Sequence, residues 1–210
     1  MITKQEFYQA LKNRHGEILQ KKFACTSVAI CGLGGLGSNI AIMLARTGIG
    51  KLHLLDFDRV DISNLNRQQY FVEQIGLYKT LALSQVIQKI APYCEIQTDT
   101  VKLDEKNIQE LLKQESIICE AFDNPEAKAM LVNEVLIKFP EKYLVCASGM
   151  AGIDSANAIH TRKITEHFYL CGDGTSDLTD GEGLFASRVT VCASHQAHMI
   201  LRIIAEKFDC

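Results

Sequence analysis

A short glycine-rich segment between an apolar run and an amphipathic stretch constrains the fold of this chain more than any other feature. The apolar run at 28–31 is too short for a helix and is typical of a strand buried on both faces. The glycine-rich segment 32–37 follows it directly and fits the spacing G-x-G-x-x-G, and residues 37–47 then have helical spacing and end at Gly48. In such a unit Gly32 allows the tight turn, Gly34 lets the backbone approach phosphate oxygens, and Gly37 lets the helix pack close to the strand. Together with Gly35, these glycines predict a nucleotide-binding strand–turn–helix unit.

Apolar runs alternate with helical patterns through most of the remaining chain. Strands are predicted at 28–31, 52–55, 96–101, 117–122 and 143–147, and helices at 3–23 (broken near Gly16), 37–47, 77–90, 104–114 and 125–137. The last third predicts strands at 158–163 and 168–171, a polar glycine-rich loop at 172–183 and a final helix at 188–206. We therefore predict a Rossmann-like α/β fold: a mostly parallel sheet flanked by helices, with antiparallel strands at the C-terminal end. A single domain over 1–210, with an N-terminal helical extension over 1–24, is the predicted organisation.

Composition argues against several classes of protein. A net charge of −3 and an isoelectric point near 6.1 provide no basic footprint for nucleic acid. The first 22 residues lack the uninterrupted apolar core of a signal peptide, and no window approaches the roughly 20 apolar residues of a membrane span. Eight cysteines stand in apolar contexts, which fits a reducing compartment. We expect a cytoplasmic protein without nucleic-acid or membrane partners.

An acid at the end of the second predicted strand extends the nucleotide prediction without identifying the nucleotide. Asp56 lies nineteen residues beyond Gly37, where a carboxylate can accept hydrogen bonds from ribose hydroxyls. An NAD-dependent oxidoreductase would show the same glycines and the same acid. ATP and NAD therefore remain alternatives at this point.

The segment that begins at Asp56 is more specific. Residues 56–68 resemble the D-x-D-x-V-x-x-S-N-L-x-R-Q pattern of the ThiF/MoeB/ubiquitin-activating superfamily. Residues 76–79 are similar to its G-x-x-K motif, and the pair Asp123-Asn124 resembles its D-N pair after the fourth strand. The resemblance covers residues 28 to about 160, with the motifs in the expected order.

This resemblance implies an ATP-dependent adenylyltransferase. It implies that Arg67 and Lys79 contact the triphosphate and that Asn64 and Gln68 orient phosphate oxygens. Asp123, at the end of a parallel strand, suits Mg²⁺, which usually takes only one or two protein carboxylates. A role for Asp58, in metal binding or in capping a turn, stays open. The alternatives of another class are an NAD-dependent oxidoreductase and a nucleotide-binding scaffold without turnover.

Two further stretches favour one branch of the superfamily. The run 65–70 and the segment 171–175, together with the short length, look most like a compact ThiF-like branch linked to thiamine biosynthesis. That branch implies adenylation of the C-terminal carboxylate of a ThiS-like, ubiquitin-like sulfur-carrier protein, by a homodimer. A molybdopterin-type carrier is an alternative, because the nucleotide site would look the same, and relatives that adenylate a tRNA-linked carboxylate are another.

Other residues carry weaker expectations. Cys171 is the candidate for a link to the carrier, with a buried strand-end cysteine as the equal alternative. Arg14 either reaches the active site of a partner subunit or lies at the surface. The chain has no C-x-x-C motif, so no structural zinc is predicted. The helical spacing of Cys192, His195 and His198 is more typical of core or interface residues than of a metal site.

Overall fold

The computed structural model describes residues 2–177 and 183–210, and within them seven strands form one sheet in the order β3-β2-β1-β4-β5-β7-β6. The strands are β1 (Ser27–Cys31), β2 (Lys51–Leu55), β3 (Glu95–Asp99), β4 (Ile117–Glu120), β5 (Tyr143–Ala147), β6 (His160–Lys163) and β7 (Phe168–Gly172). The α-helices of the described ranges are α1 (Lys4–His15), α2 (Glu17–Ala24), α3 (Gly35–Thr47), α4 (Lys79–Ile90), α5 (Ile108–Leu111), α6 (Pro125–Lys138) and α7 (Ala186–Ile204).

The sheet confirms the predicted fold class. All neighbouring strands run parallel except β6 and β7, which pair antiparallel at one edge. From β1 the chain builds outward through β2 and β3, then returns to place β4 on the other side of β1. Such a reversal opens a crevice beyond the carboxyl ends of the two central strands, where ligands of open α/β sheets bind.

Side chains from alternate positions of the strands fill two apolar layers. Val28 and Ile30 of β1 pack on one face with residues of α3, α4 and α7. Ala29 and Cys31 point to the other face, among residues of α5 and α6. The central strand is therefore buried on both faces, as its continuous apolar run predicts.

The predicted helix over 3–23 is broken where the glycine indicated. Gly16 has φ 82°, which ends α1 and starts α2. The helix predicted over 104–114 is wrong over most of its length, because only Ile108–Leu111 is helical. The carboxylate of Asp104 accepts hydrogen bonds from the backbone N–H groups of Lys106 and Asn107 and so stabilises a turn instead.

Smaller differences lie at element ends. The third strand ends at Asp99 rather than at residue 101, and the last helix runs over Ala186–Ile204 rather than 188–206. Part of the polar loop predicted at 172–183, namely 178–182, lies outside the described residues. Across the described ranges, every helix is too short or too polar to cross a membrane.

A buried histidine links the sheet to the loop before β4. His53 on β2 is fully buried, with Nε2 2.6 Å from Asp99 Oδ2 and Nδ1 3.1 Å from Glu115 Oε1. Burial acts to lower the pKa of His53, but the hydrogen bonds and charges of Glu115 and Asp99 outweigh it and raise that pKa. Burial acts to raise the pKa of Glu115, and its bond to His53 lowers it instead. The two groups therefore hold each other in their charged forms.

We expect this cluster to stabilise the fold most at mildly acid pH. A raised histidine pKa contributes stability that is complete below the unfolded pKa, about 6.5, and is lost as pH rises through the folded pKa. The lowered pKa of Glu115 contributes above about 4.3 and is lost below it. The free energy of unfolding lost in His53→Gln should thus be larger at pH 5.5 than at pH 8.5. Urea unfolding at both pH values measures this loss in the free energy of unfolding. His198→Gln, at an exposed site, is the control. An equal loss at both pH values would contradict the charged pair.

Candidate active site

A cavity of about 780 Å³ opens beyond the carboxyl ends of the central strands. Its volume lies within the range of small-molecule sites, about 300–1,000 Å³. Most of the predicted site residues line it: Gly32, Gly34, Gly35, Asp56, Asp58, Arg67, Gln68, Lys79 and Asp123. Residues that are distant in sequence are thus brought together at the crevice of the sheet.

The glycine-rich turn joins β1 to α3, and it has no room for a larger residue at Gly32 or Gly37. Gly32 has φ 92°, and a Cβ atom there would lie 2.8 Å from the carbonyl oxygen of Ala121. A Cβ atom at Gly37 would lie 1.8 Å from the carbonyl oxygen of Gly32, so the helix packs directly against the turn. Gly37 is therefore a packing residue and is not among those that line the cavity.

The first turn of α3 faces the cavity without a side-chain cap. Its N-cap residue is Gly34, which makes no side-chain hydrogen bond, and Gly34, Gly35 and Leu36 all line the cavity. The first backbone N–H groups of a helix have no partner inside the helix, and the helix dipole adds partial positive charge there. This turn is therefore suited to bind an anionic group such as phosphate.

Asp56 ties the glycine-rich turn to the end of β2. Its buried carboxylate accepts hydrogen bonds from the backbone N–H of Leu33 at 2.6 Å and of Asp58 at 2.8 Å. Burial raises the pKa of Asp56, and the nearby charge of Lys79 acts in the opposite direction. The same side chain lines the cavity, so its predicted contact with ribose would come from a carboxylate already held in place.

Two cations approach the cavity from the segment after β2. Lys79, the first residue of α4, is only 6% exposed, and its Nζ lies 2.9 Å from Asp58 Oδ2. Arg67 Nη1 donates to the carbonyl oxygen of Ser63 at 3.2 Å and to Asn66 Oδ1 at 2.8 Å. Local hydrogen bonds therefore orient both cations on the cavity wall.

Gln68 lines the cavity and has a buried side-chain oxygen without a partner. Its side chain is 7% exposed, and its Oε1 has no hydrogen-bond partner within the described part of the chain. Most buried polar side-chain atoms in proteins are paired. The oxygen of Gln68 is an acceptor that needs a donor, and the cavity beside this residue is where a ligand could supply one.

Asp123 follows β4 and lies at the cavity with its carboxylate exposed. No hydrogen bond or ion pair involves that carboxylate among residues 2–177 and 183–210. The neighbouring Asn124 caps α6 by accepting from the backbone N–H of Ala127 at 2.8 Å. Capping therefore falls to Asn124 and leaves Asp123 available to a ligand.

A buried ion pair that sequence reasoning missed supports this strand end. Glu120 is 1% exposed, and Lys128 Nζ lies 3.0 Å from both of its carboxylate oxygens and 3.0 Å from the carbonyl oxygen of Ala147. Glu120 Oε1 also accepts from the backbone N–H of Phe122 at 2.7 Å. Burial raises the pKa of Glu120, and the charge of Lys128 opposes that rise. The sequence did contain a signal for this pair: a carboxylate inside an apolar run is buried, and a buried carboxylate requires a partner.

Besides Gly37, three predicted residues lie outside the cavity lining. Asn64 is used locally, since its Oδ1 accepts from the backbone N–H of Asp61 at 3.0 Å. Arg14 is exposed near the end of α1. Cys171 is completely buried in β7, where burial raises the pKa of its thiol to about 12. A thiol in this state is a poor nucleophile, which favours the strand-end alternative.

The histidines and cysteines of α7 form no metal site in the ranges that the structure covers. Cys192 is fully buried in the core. His195 Nδ1 lies 2.9 Å from Thr161 Oγ1, which ties the helix to the antiparallel edge of the sheet.

Comparisons with known proteins show which family this chain matches. The ThiF family model matches residues 8–209. A probable molybdopterin-synthase adenylyltransferase of Porphyra purpurea is 41% identical over 106 residues, which cover 50% of this chain and 28% of that protein. The molybdopterin-synthase adenylyltransferase of Haemophilus influenzae is 35% identical over 113 residues, covering 53% of this chain and 46% of that protein. The matches thus span less than half the length of either relative.

A solved structure shares the whole fold. The tRNA N6-threonylcarbamoyladenosine dehydratase of E. coli, in complex with ATP, superposes with a TM-score of 0.87 over 99% of this chain and 98% of that one. Its sequence is 21% identical, so the likeness is one of fold.

Proposed function

Because this chain belongs to the ThiF family, we propose that it is an adenylyltransferase that uses ATP to activate the C-terminal carboxylate of a ubiquitin-like carrier protein. One observation carries the proposal: the uncapped first turn of α3 faces the same cavity as Arg67, Lys79 and Asp123. That combination places backbone donors, two cations and an unpaired carboxylate around one space. A triphosphate needs such donors, whereas the diphosphate bridge of NAD carries less charge.

The proposed reaction joins a carboxylate to the α-phosphate of ATP. A carboxylate oxygen of the carrier attacks the α-phosphorus, the bond from that phosphorus to the oxygen bridging to the β-phosphate breaks, and pyrophosphate leaves with the electron pair. The products are an acyl-adenylate and pyrophosphate. No enzyme side chain forms a covalent bond in this step, so catalysis consists of positioning and of stabilising phosphate charge.

The chain's own residues divide these tasks. The first turn of α3 and the cations of Arg67 and Lys79 would bind the phosphates. Gln68 would hydrogen-bond the nucleotide through the side-chain amide that now lacks one partner. Asp56 would hold both the ribose and the glycine-rich turn, since it already bonds to Leu33.

The donor set also fits a magnesium ion. Asp123 provides one unpaired carboxylate at the cavity, and Mg²⁺ in nucleotide sites usually takes one or two carboxylates together with waters and substrate phosphates. When bound, the ion would supply neutralisation of phosphate charge.

For the carrier itself we propose a ThiS-like sulfur carrier of thiamine biosynthesis. The run 65–70 and the segment 171–175 support this choice through their resemblance to the compact ThiF-like branch. The names of the two curated relatives favour a molybdopterin-type carrier as the second candidate. The two differ only in the protein that presents the carboxylate.

Two measurements test the function. We expect Mg-ATP to raise the unfolding temperature more than NAD does, because a ligand that binds only the folded state stabilises it in proportion to saturation. We also expect labelled pyrophosphate to exchange into ATP only when a carrier with an intact C-terminal carboxylate is added. A ThiS-like carrier, a molybdopterin-type carrier and a carrier with an amidated C-terminus form the comparison. A larger shift with NAD, or equal exchange with the amidated carrier, would refute the proposal.

A further inference from the structure

One wall of the cavity lies outside the set of residues assigned to the nucleotide. It comes from the segment after β5, the segment after β7 and the start of α7, and includes Ser148, Gly149, Met150, Ala151, Ser176 and Val189. Among the described residues of this wall that line the cavity, none is a cation. Asp177, an acid, also lines the cavity on this wall, so the wall is unsuited to phosphate and better suited to an uncharged group.

A single carboxylate holds the turn after β7. Asp173 Oδ1 accepts from the backbone N–H groups of Thr175 at 2.8 Å and Ser176 at 2.9 Å. Its Oδ2 accepts from Ser176 Oγ at 2.7 Å, and that hydroxyl oxygen accepts in turn from the backbone N–H of Ala151 at 3.1 Å. Asp173 thus connects its own turn to the segment after β5.

The same segment is locked to Asp173 through the backbone. The N–H of Asp173 donates to the carbonyl oxygen of Gly149 at 3.1 Å, and the N–H of Gly174 donates to that of Ser148 at 2.9 Å. Gly149 has φ 81°, and a Cβ atom there would lie 2.0 Å from Asp173 Oδ1. Only glycine allows the two segments to approach this closely.

Arg188 connects this arrangement to α7. Its Nη2 lies 2.5 Å from Asp173 Oδ2, and its Nη1 donates to the carbonyl oxygens of Ser155, at 2.9 Å, and Asp154. The side chains of Arg188 and Asp173 are 4% and 6% exposed. Burial acts to raise the pKa of Asp173, but the bonds from Ser176, Thr175 and Arg188 outweigh it and hold that pKa well below its usual range. The pair therefore stays charged at any pH at which the protein would work.

We propose that Asp173 and Arg188 are positioning residues that hold segment 148–155 as a preformed wall for the extended C-terminal tail of the carrier. The inference rests on the proposed function, because it assumes a peptide carboxylate as second substrate. The wall lies on the same cavity as the phosphate-binding turn, offers no free cation among its described residues, and is fixed before any ligand binds. Fixing it in advance removes ordering costs that a flexible segment would add to binding of the tail.

The test compares apparent KM values for carrier and for ATP in pyrophosphate exchange. The double variant Asp173→Asn/Arg188→Gln removes both charges and so leaves no unpaired buried charge. We expect it to raise the KM for carrier about tenfold or more, with the KM for ATP changing less than about twofold. Hydrogen–deuterium exchange should quicken over 148–155 and stay unchanged over β1 and β2. The conservative single variant Arg188→Lys should have a KM for carrier between that of the double variant and that of the wild type.

A more exposed ion pair, whose arginine lies on the same helix, is the control. Arg202 Nη2 lies 2.7 Å from Asp209 Oδ1, and neither residue lines the cavity. Arg202→Gln/Asp209→Asn should therefore leave both KM values unchanged. If the first double variant fails to fold, the single Arg188→Lys replaces it, because it keeps a positive charge beside Asp173 and removes the guanidinium bonds to the carbonyl oxygens of Asp154 and Ser155.

Three results would overturn the inference. The first is an equal increase of both KM values, and the second is an unchanged KM for carrier despite faster hydrogen–deuterium exchange over 148–155. The third is unchanged hydrogen–deuterium exchange over that segment. If the wild-type protein shows no carrier-dependent pyrophosphate exchange with any carrier, the proposed function is refuted, and this inference with it. If only the inference fails, the wild-type protein still shows carrier-dependent pyrophosphate exchange. Failure of the inference and failure of the proposed function are therefore distinguishable.

Discussion

Asp123→Ala should lower pyrophosphate–ATP exchange by about 10²–10³-fold while leaving the unfolding temperature unchanged. The side chain is exposed at the cavity and makes no bond among the residues that the structure describes, so its removal leaves no core void and no orphaned partner. Its carboxylate is nevertheless the unpaired acid suited to hold a cation beside the phosphates. A large loss of activity without loss of stability is the expected signature of a ligand-binding residue.

Glu126→Ala is the matched control for this experiment. Glu126 is an exposed carboxylate that lines the same cavity three residues further along the chain. We expect this variant to retain exchange within about twofold, since a surface charge at some distance acts weakly. Unchanged exchange in Asp123→Ala, or an equal loss in both variants, would rule out a specific role for Asp123.

Lys79→Met should reduce exchange by a similar factor, about 10²–10³-fold, because a charged donor to the phosphates is lost. Methionine keeps most of the apolar stem of a side chain that is only 6% exposed. The partner carboxylate of Asp58 is half-exposed and can be solvated once the cation is gone. Stability should therefore change little compared with activity. Steady-state exchange and thermal unfolding of the same preparation measure both.

Lys106→Met controls for the loss of any cation near the cavity. Lys106 is exposed and also lines the cavity, on the segment after β3. We expect nearly wild-type exchange and nearly wild-type stabilisation by Mg-ATP in this variant. If Lys79→Met binds and exchanges ATP as the wild type does, the predicted contact between Lys79 and the triphosphate is wrong.

The sequence by itself determined the fold class and predicted nine of the residues that line the cavity. A buried strand, a glycine turn and a helix follow from local rules: a short apolar run, φ values that only glycine adopts readily, and uninterrupted helical spacing. Strands that alternate with helices then require parallel crossovers, and parallel strands bring their carboxyl ends to one edge. Asp56 and Asp123, which each follow such a strand, were therefore predictable neighbours of Gly34.

Competition between nearby hydrogen-bond partners explains where predictions from local sequence patterns were insufficient. The stretch 104–114 has apolar residues at helical spacing, but Asp104 bonds to the backbone two and three residues ahead and favours a turn. Asn64 also takes a local partner, since a backbone donor three residues away engages its oxygen, and its side-chain N–H group remains the donor for the predicted phosphate contact. Spacing alone does not reveal which of two partners a short polar side chain takes.

Only the tertiary structure decided the buried pairs and the state of Cys171. Glu120 meets Lys128 across a strand–helix turn, and Asp173 meets Arg188 across fifteen residues that include the undescribed 178–182. Each side chain alone is typical of a solvent-exposed site, and its partner becomes known only when the chain is folded. Cys171 precedes a glycine-rich polar segment, which suggested an accessible thiol, but pairing of β7 with both β5 and β6 buries it completely. Burial depends on which strands lie on either side, and that is a property of the assembled sheet rather than of the residues that flank the cysteine.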